Sequence, residues 1–469
     1  MSCDSVGVYG CKLEGTTPVM DRLASQSLRF EHAHVTVGNC NPCRNVMFSG
    51  LISHNNKVEG FYKVTDPGWP HMVDLLQEAG YYAGIHGKVT HSSPYQPYGW
   101  DDDLTLSPSG KKAHIKDAKA YGESTSRGIE IAKKSGKPFF LSINISDPHK
   151  PFWTQVRGGG EDPYVPSRIY NAEEVPVPGF LFEDPEVREE LALYYSSVRR
   201  ADDCLNEVLK ALRKSGQWEN TMIVFLSDHG MPLPFAKTQL YHHSTHTPLM
   251  VRLPGITQAG KVEKRHMVSV LDLLPTVLDS LGIPKPKRLD GRSFLPLLRG
   301  EKQEDRDYII KEYNENAGRS RDPMRAIQSK THLYLFNPWS NGERIFATAT
   351  NGTVTCKRMI KLSEEDEEMN KRLELYRFRV PEELYQVNKD PDCLENLVDY
   401  ASKEKVLKKL QSSLEEWFEK TNDPILECFR KRDDPEFVEA YIQKLEEEAN
   451  ARRIKEKPST KSKKEKKKS

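Results

Sequence analysis

The sequence predicts an α/β fold: a large, mostly parallel sheet sandwiched by helices, followed by a smaller α+β domain. Three observations predict it. Helical patterns alternate with short apolar runs from Thr17 to Gly282. Those runs are apolar at nearly every position, as strands covered on both faces are. The alternation stops near "DGRSFLPLLRG" (Asp290–Gly300), and a charged linker, "EKQEDRD", follows.

The first element, "TPVMDRLASQSL" (Thr17–Leu28), has helical apolar spacing and a threonine start. "HMVDLLQEAG" reads as a helix ending at Gly80, and "YYAGIHGKV" follows as a buried strand. The pattern repeats. A helix over "GIEIAKKSG" leads into the strand "FFLSINIS", and a long amphipathic helix from Pro185 to Gly216 leads into "TMIVFLSDHG". The strand "LMVRLP" precedes the helix "SVLDLLPTVLDSLG". Residues 1–303 are read as one catalytic unit and 304–450 as the smaller one. In the latter, "MRAIQSKTHLYLFN" suggests two antiparallel strands, and "KVLKKLQSSLEEWFEK" and "EFVEAYIQKLEEEANARR" suggest helices. Residues 451–469 are read as a disordered, solvated basic tail.

Composition narrows the function. The chain has 469 residues, 29% of them charged, and a formal net charge of +1, so its body carries no nucleic-acid-binding excess of positive charge. No apolar run reaches the length of a membrane span. Eight irregularly spaced cysteines do not make a disulfide scaffold. "CNPC" (Cys40–Cys43) is a single C-x-x-C, short of the four ligands of structural zinc, and a redox pair is its rival reading.

In a doubly wound sheet, ligands collect beyond the carboxyl ends of the strands. Lys88 and His91 follow "YYAGIHG". "DPHKPF", with Asp147 and His149, follows "FFLSINIS", and Asp228 and His229 follow "TMIVFLS", with Lys237 nine residues beyond the aspartate. Cys40 and Arg44 sit at a loop-to-helix junction. Arginine offers a rigid fork for oxyanions and lysines offer point charges. Histidines move protons near neutral pH, and a helix start adds a positive dipole end. These residue types suit an anionic, tetrahedral group. Asp228 is a hard oxygen ligand suited to Ca²⁺ or Mg²⁺. Any one of these alone has a plainer reading: His91 as a surface histidine, Lys237 as a solvated lysine, and "SDHG" as a strand end with an aspartate cap or turn.

In this order the residues resemble the sulfatase family. "CNPCR" (Cys40, Pro42, Arg44) matches its C-x-P-x-R, in which the cysteine becomes formylglycine. "GKVTH", "DPHKPF", "SDHG" and "DGRSFLPLLRG" match further stretches, and "EELYQVNKDPDCLENL" resembles its ending. "DHGMPLPFAKTQLY" and "GLISHNNKVEG" are most similar to the N-sulfoglucosamine sulfohydrolase-like subgroup. The resemblance implies a sulfuric ester or sulfamate hydrolase acting on a sulfated carbohydrate such as heparan sulfate. It implies Cys40, Arg44, Lys88, His91, His149 and Lys237 as catalytic residues. It also implies one divalent ion, Ca²⁺, held by Asp228, His229 and the formylglycine from Cys40. Its partners would be the sulfated carbohydrate and, during maturation, the formylglycine-generating enzyme. Passage through the secretory route to a lysosomal or extracellular location follows. "NGT" at Asn351 is a glycosylation sequon in a polar stretch, whereas "NIS" at Asn144 falls in a predicted buried strand and is discounted.

The resemblance fails at the start. The family opens with an apolar strand ending in two metal-binding aspartates, just before a turn matched here by "VGVYG" (Val6–Gly10). Met1 falls where that pair would precede, and Asp4 lies too close to the turn to replace it. The expectation is a native start upstream, because deleting a central strand exposes a buried seam. Without those carboxylates, weak metal binding and little activity are expected. The competing readings are an inactive relative that binds sulfated glycans and a phosphate or phosphonate ester hydrolase of the same superfamily.

Overall fold

The computed structural model describes residues 1–64, 66–95, 99–156, 158–317 and 321–456. Local chemistry sets the helix ends. The Asn39 side chain accepts the Cys40 N–H at 3.1 Å and starts the Cys40–Ser49 helix, which ends at Gly50 in the left-handed conformation. Asp117 caps the Ala118–Lys134 helix. Asp184, with a proline in the first turn, caps the Pro185–Lys214 helix. These last two helices pack together, and the first of them lies against the strands that precede and follow it.

The N-terminal strands are β1 (Leu28–Phe30), β2 (Ala33–His34), β3 (Tyr82–His86), β4 (Asp102–Asp103), β5 (Phe139–Ile143), β6 (Ile223–Leu226), β7 (Leu249–Arg252), β8 (Val262–Glu263) and β9 (Val268–Ser269). The α/β class is as the sequence predicts, but the strands form separate pieces. One sheet has the order β4-β3-β5 and is parallel throughout. A second has the order β6-β7-β1-β8, in which β7 runs antiparallel to both its neighbours. β2 and β9 form a small parallel pair. A parallel return needs a long crossover, usually a helix. Between β6 and β7 the chain instead doubles back through a loop holding only the short His242–Thr245 helix.

β5 ends one sheet and β6 ends the other, and both line the same cavity of about 1010 Å³. Their residues are half-buried throughout, whereas β3 and β7 are buried at every position.

The C-terminal strands β10 (Ile309–Glu315), β11 (Arg321–Gln328), β12 (Leu333–Phe336) and β13 (Glu382–Tyr385) form an antiparallel sheet in chain order. The Glu404–Thr421 helix buries Leu410, Leu414 and Phe418 against Ile327, Tyr334 and Phe336. The opposite side of this unit has no core to itself. Met324, Leu335 and Trp339 belong to one continuous apolar cluster with Met20, Val46 and Leu205. The final helix, Pro435–Glu456, runs into the stretch read as a tail, and residues 457–469 lie outside the described residues.

A buried ion network joins the segment after the Cys40 helix to the C-terminal sheet. His54 Nδ1 lies 2.9 Å from Glu312, and Arg325 donates to both oxygens of Asp423 at 2.6 and 2.9 Å. Burial opposes charge on His54, but Glu312 and Asp423 outweigh it and raise its pKa to about 9. The folded state therefore holds the His54 proton more tightly than the unfolded chain does. That stabilisation is complete below pH 6.5 and is lost as pH rises through about 9. His54→Gln is expected to cost about 3 kcal/mol below pH 6.5, as loss of one partner from a buried ion pair does. The difference from the parent should shrink steadily toward pH 9 in urea unfolding across the range.

Candidate functional site

The site is built where a loop crosses a helix start. Gly38 precedes Cys40 because nothing larger fits: a Cβ there would stand 2.4 Å from the Gln239 carbonyl oxygen. The Thr238 N–H donates to the Gly38 carbonyl at 2.7 Å, with Thr238 itself at φ 59, an unfavourable conformation for a β-branched residue. This close crossing sets buried Lys237 beside Cys40, which opens its helix.

Arg44, one turn into that helix, ties two strand ends together. Its Nε donates to Asp228 Oδ2 at 2.9 Å, just past β6, and its Nη1 donates to Asn144 Oδ1 at 2.5 Å, just past β5. Asn144 then donates from Nδ2 to the carbonyls of His86 (3.2 Å) and Gly87 (2.9 Å). Gly87 has φ 71, and a Cβ there would lie 2.9 Å from the Asn144 carbonyl oxygen. The turn it permits presents Lys88 to the cavity. Asn144 is thus engaged in the site framework, in keeping with the discounting of its sequon.

His149 is held from behind. Lys116 Nζ donates to the His149 carbonyl at 2.9 Å and pairs with Asp147, which also accepts from Arg200 Nε at 2.6 Å. The His149 Nδ1–H donates to the Lys150 carbonyl at 2.7 Å, leaving Nε2 free for a ligand. His229 Nδ1–H likewise donates to the Gly230 carbonyl at 2.9 Å.

The site is strongly positive. Burial would raise the Asp228 pKa, but Arg44, His229 and Lys88 hold it well below the usual carboxylate range. Burial would also raise that of Cys40, yet the His229 hydrogen bond, Lys88 and Lys237 bring it down. Burial, then Lys237 and Lys88, push His149 down to about 3. Burial, then Lys88 and Arg44, push His91 down to about 4. Both rings are neutral in the free site.

The structure therefore gathers Arg44, Lys88, His149, Asp228 and His229 around one cavity, with Cys40, His91 and Lys237 within their field. Asp4 lies elsewhere, 3.5 Å from His243. Asn144, Lys116 and Arg200 did not stand out as site residues in the sequence. Asn144 had one usable signal, its place just past an apolar strand. Lys116 and Arg200 had none, being 31 and 53 residues from the Asp147 they grip.

The donors do not fit the expected divalent ion. Asp228 is the one carboxylate among the residues expected to hold it, and its Oδ2 is already engaged by Arg44. His229 Nε2 lies 3.6 Å from Asp228 Oδ1, and the buried Met1 amine and three basic side chains crowd the same carboxylate. Among the described residues, three potential metal-binding side chains converge only at His54, Glu312 and Asp423, which the Arg325 network occupies.

Cys40 at a helix start, with fixed cations beyond the strand ends, makes a site suited to an anionic group. The chain belongs to the sulfatase family, the sulfuric ester hydrolases: residues 1–283 match that family, and residues 228–340 match the C-terminal region of N-sulphoglucosamine sulphohydrolase. It is 29% identical to human N-sulphoglucosamine sulphohydrolase over 448 residues, covering 87% of this chain and 86% of that one. It is 29% identical to chicken arylsulfatase K over 325 residues, 59% of this chain and 60% of the relative. A solved 2-O GAG sulfatase superposes with a TM-score of 0.65 at 22% identity, covering 90% of each chain. A sulfatase solved in complex with its substrate D-glucosamine-2-N,6-O-disulfate superposes with a TM-score of 0.66 at 18% identity, covering 90% of this chain and 96% of that one.

Removing Arg44 leaves a buried carboxylate unpaired and unties two strand ends. Arg44→Ala is expected to destabilise the protein by about 3–5 kcal/mol and Asn144→Ala by about 1–3 kcal/mol. Shifted urea midpoints at unchanged slope would register both.

Proposed function

We propose that the protein removes O- or N-linked sulfate from a sulfated carbohydrate, with position 40 acting as formylglycine. The observation that carries this is the cluster of Lys88, Lys237 and Arg44 around a nucleophile at a helix start. Fixed cations in a water-poor pocket stabilise a sulfuryl group far better than they would in water. The names of the relatives support the substrate class: one acts on N-sulphoglucosamine, and another was solved with a glucosamine disulfate.

A formylglycine hydrate supplies two hydroxyls on one carbon, one to take the sulfuryl group and one whose deprotonation releases sulfate and restores the aldehyde. The surroundings suit it: Cys40 is buried, and against the upward push of burial His229, Lys88 and Lys237 bring its pKa below the ordinary thiol value. Lys88 and Lys237 hold sulfate oxygens. Arg44 keeps Asp228 and the nucleophile aligned. His149 gives a proton through Nε2 to the leaving oxygen or nitrogen. In the free site burial, then Lys237 and Lys88, hold its pKa down to about 3 and Nε2 is bare, so the proton it passes on is one it takes up together with the anionic sulfate ester that offsets the two lysines. Neutral His91 accepts the proton of the second hydroxyl.

The reading carries maturation by a formylglycine-generating enzyme in the secretory route and a lysosomal or extracellular destination. Asn351 of the NGT sequon is exposed, as a glycan acceptor must be. No helix among the described residues is long and apolar enough to cross a membrane.

Peptide mass mapping of protein from cells competent in the modification should find formylglycine at position 40. An unmodified thiol there would count against the mechanism. Purified protein should turn over aryl sulfate in preference to aryl phosphate; the reverse preference would favour a phosphate ester hydrolase, and heparin binding without turnover a glycan-binding relative. Lys237→Ala should lower kcat/KM by about 100-fold or more. His149→Ala should slow alkyl sulfates far more than nitrophenyl sulfate, whose leaving group needs no proton.

A further inference from the structure

The Cys40–Ser49 helix carries a second thiol, Cys43, that sulfate hydrolysis does not use. It stands one turn on from Cys40 in "CNPC", and both thiols are free and buried, at 0% and 3% exposure. The backbone of this first turn converges on one residue. The Cys40 N–H donates to the Asn39 side chain at 3.1 Å, and the Cys43 N–H donates to the Asn39 carbonyl at 3.0 Å. Pro42, between them, needs no hydrogen-bond partner in a first turn. Side chains three apart on a helix lie about 5–6 Å apart at Cβ, and a disulfide needs about 3.5–4.5 Å. The first residue of a helix can close that difference, because its N–H lies outside the intrahelical ladder and only a side chain holds it. Arg44 and Asp228 are charged neighbours of Cys43, and Lys88, Lys237 and Asp228 of Cys40, so both thiols lie within one ring of charge. Packing alone asks only for a small side chain at position 43, whereas a second thiol within one turn adds two-electron chemistry.

We propose that, in the chain whose position 40 is still cysteine, Cys40 and Cys43 are a redox pair that hydrogen peroxide oxidises to a disulfide and a small thiol reduces. The Cys40 sulfur attacks one peroxide oxygen, the O–O bond breaks, and the other oxygen leaves with the Cys40 proton as water. The Cys43 sulfur then attacks the sulfenic acid formed at Cys40. The S–S bond forms, the S–O bond breaks, and the hydroxyl leaves with the Cys43 proton as a second water. The two sulfurs together lose two electrons, and the peroxide gains two. Hydrogen peroxide is little larger than water, so it can reach a buried thiol behind a cavity lined by Arg44, Lys88, Asp228 and His229. Cys40, beside Lys88 and Lys237, is the thiol that meets the oxidant, and fully buried Cys43 is the one that resolves it. The disulfide keeps position 40 from becoming formylglycine until it is reduced. That consequence alone rests on the function proposed above, and the pair itself does not.

The test is peptide mass mapping of the full chain, made in cells that lack the formylglycine-generating enzyme, treated with hydrogen peroxide and then with a thiol-alkylating reagent. The expected result is one internal disulfide joining Cys40 to Cys43, reversed by dithiothreitol, with the other cysteines still alkylated. In Cys43→Ser and Cys43→Ala, Cys40 should instead proceed to sulfinic acid, about tenfold or more above its level in the parent. The parent chain alone decides the disulfide, so a variant that fails to fold does not hide it. Two free thiols after peroxide, sulfinic acid at Cys40 in the parent as in the variants, or Cys40 joined to a cysteine other than Cys43 would overturn the pair. An equal yield from the chain unfolded in urea would assign the bond to closeness in sequence and overturn the part of the folded first turn. A disulfide that forms as expected, in a protein whose formylglycine form leaves aryl sulfate intact, would uphold the pair and count only against the hydrolase.

Discussion

The bridge made by Arg44 is the constraint on which the site depends. One guanidinium, projecting from the helix that Cys40 opens, reaches the residue past β5 and the residue past β6. Planar, permanently charged and able to donate in two directions, it does what a lysine could not. Through Asn144 the same bridge reaches the turn that carries Lys88. Cys40, Lys88 and the two strand ends therefore share one mechanical frame, so a disturbance at any of them reaches the others.

That frame concentrates positive charge. Arg44, Lys88 and Lys237 surround Asp228, and the consequences are visible in each neighbour: a depressed carboxyl, a thiol brought below its ordinary pKa, and two buried histidines kept neutral. An anionic ester is the natural complement to such a site, and family membership agrees with it. Among the described residues expected to hold a divalent cation, Asp228 is the one carboxylate, and Arg44 already engages its Oδ2. The excess of positive charge and the open seam between β5 and β6 meet at the same place, the carboxyl ends of the two strands.

Much of the fold was legible in the chain. Continuous apolar runs at 82–86, 139–143 and 223–226 announced strands, and the loop-to-helix junction at Cys40 and the amphipathic stretch from Pro185 announced helices. Polar residues just past each strand flagged Lys88, His149 and Asp228, because side chains there have nowhere to go but the sheet edge. The reversal of β7 was not legible, since strand direction depends on how a connection packs and not on the composition of the strand. Nor was the continuity of the core into the C-terminal sheet, where Trp339 and Met324 meet residues from the first unit.

The sequence by itself determined the class of fold, the family and the residues that carry charge to the site, because periodicity and short motifs are local properties written in neighbouring positions. Tertiary structure alone decided that Arg44 joins two strand ends, that Lys116 and Arg200 grip Asp147, and that two sheets stand apart around a cavity. Those facts depend on groups tens to hundreds of residues apart being brought within about 3 Å, and no local pattern records such a meeting.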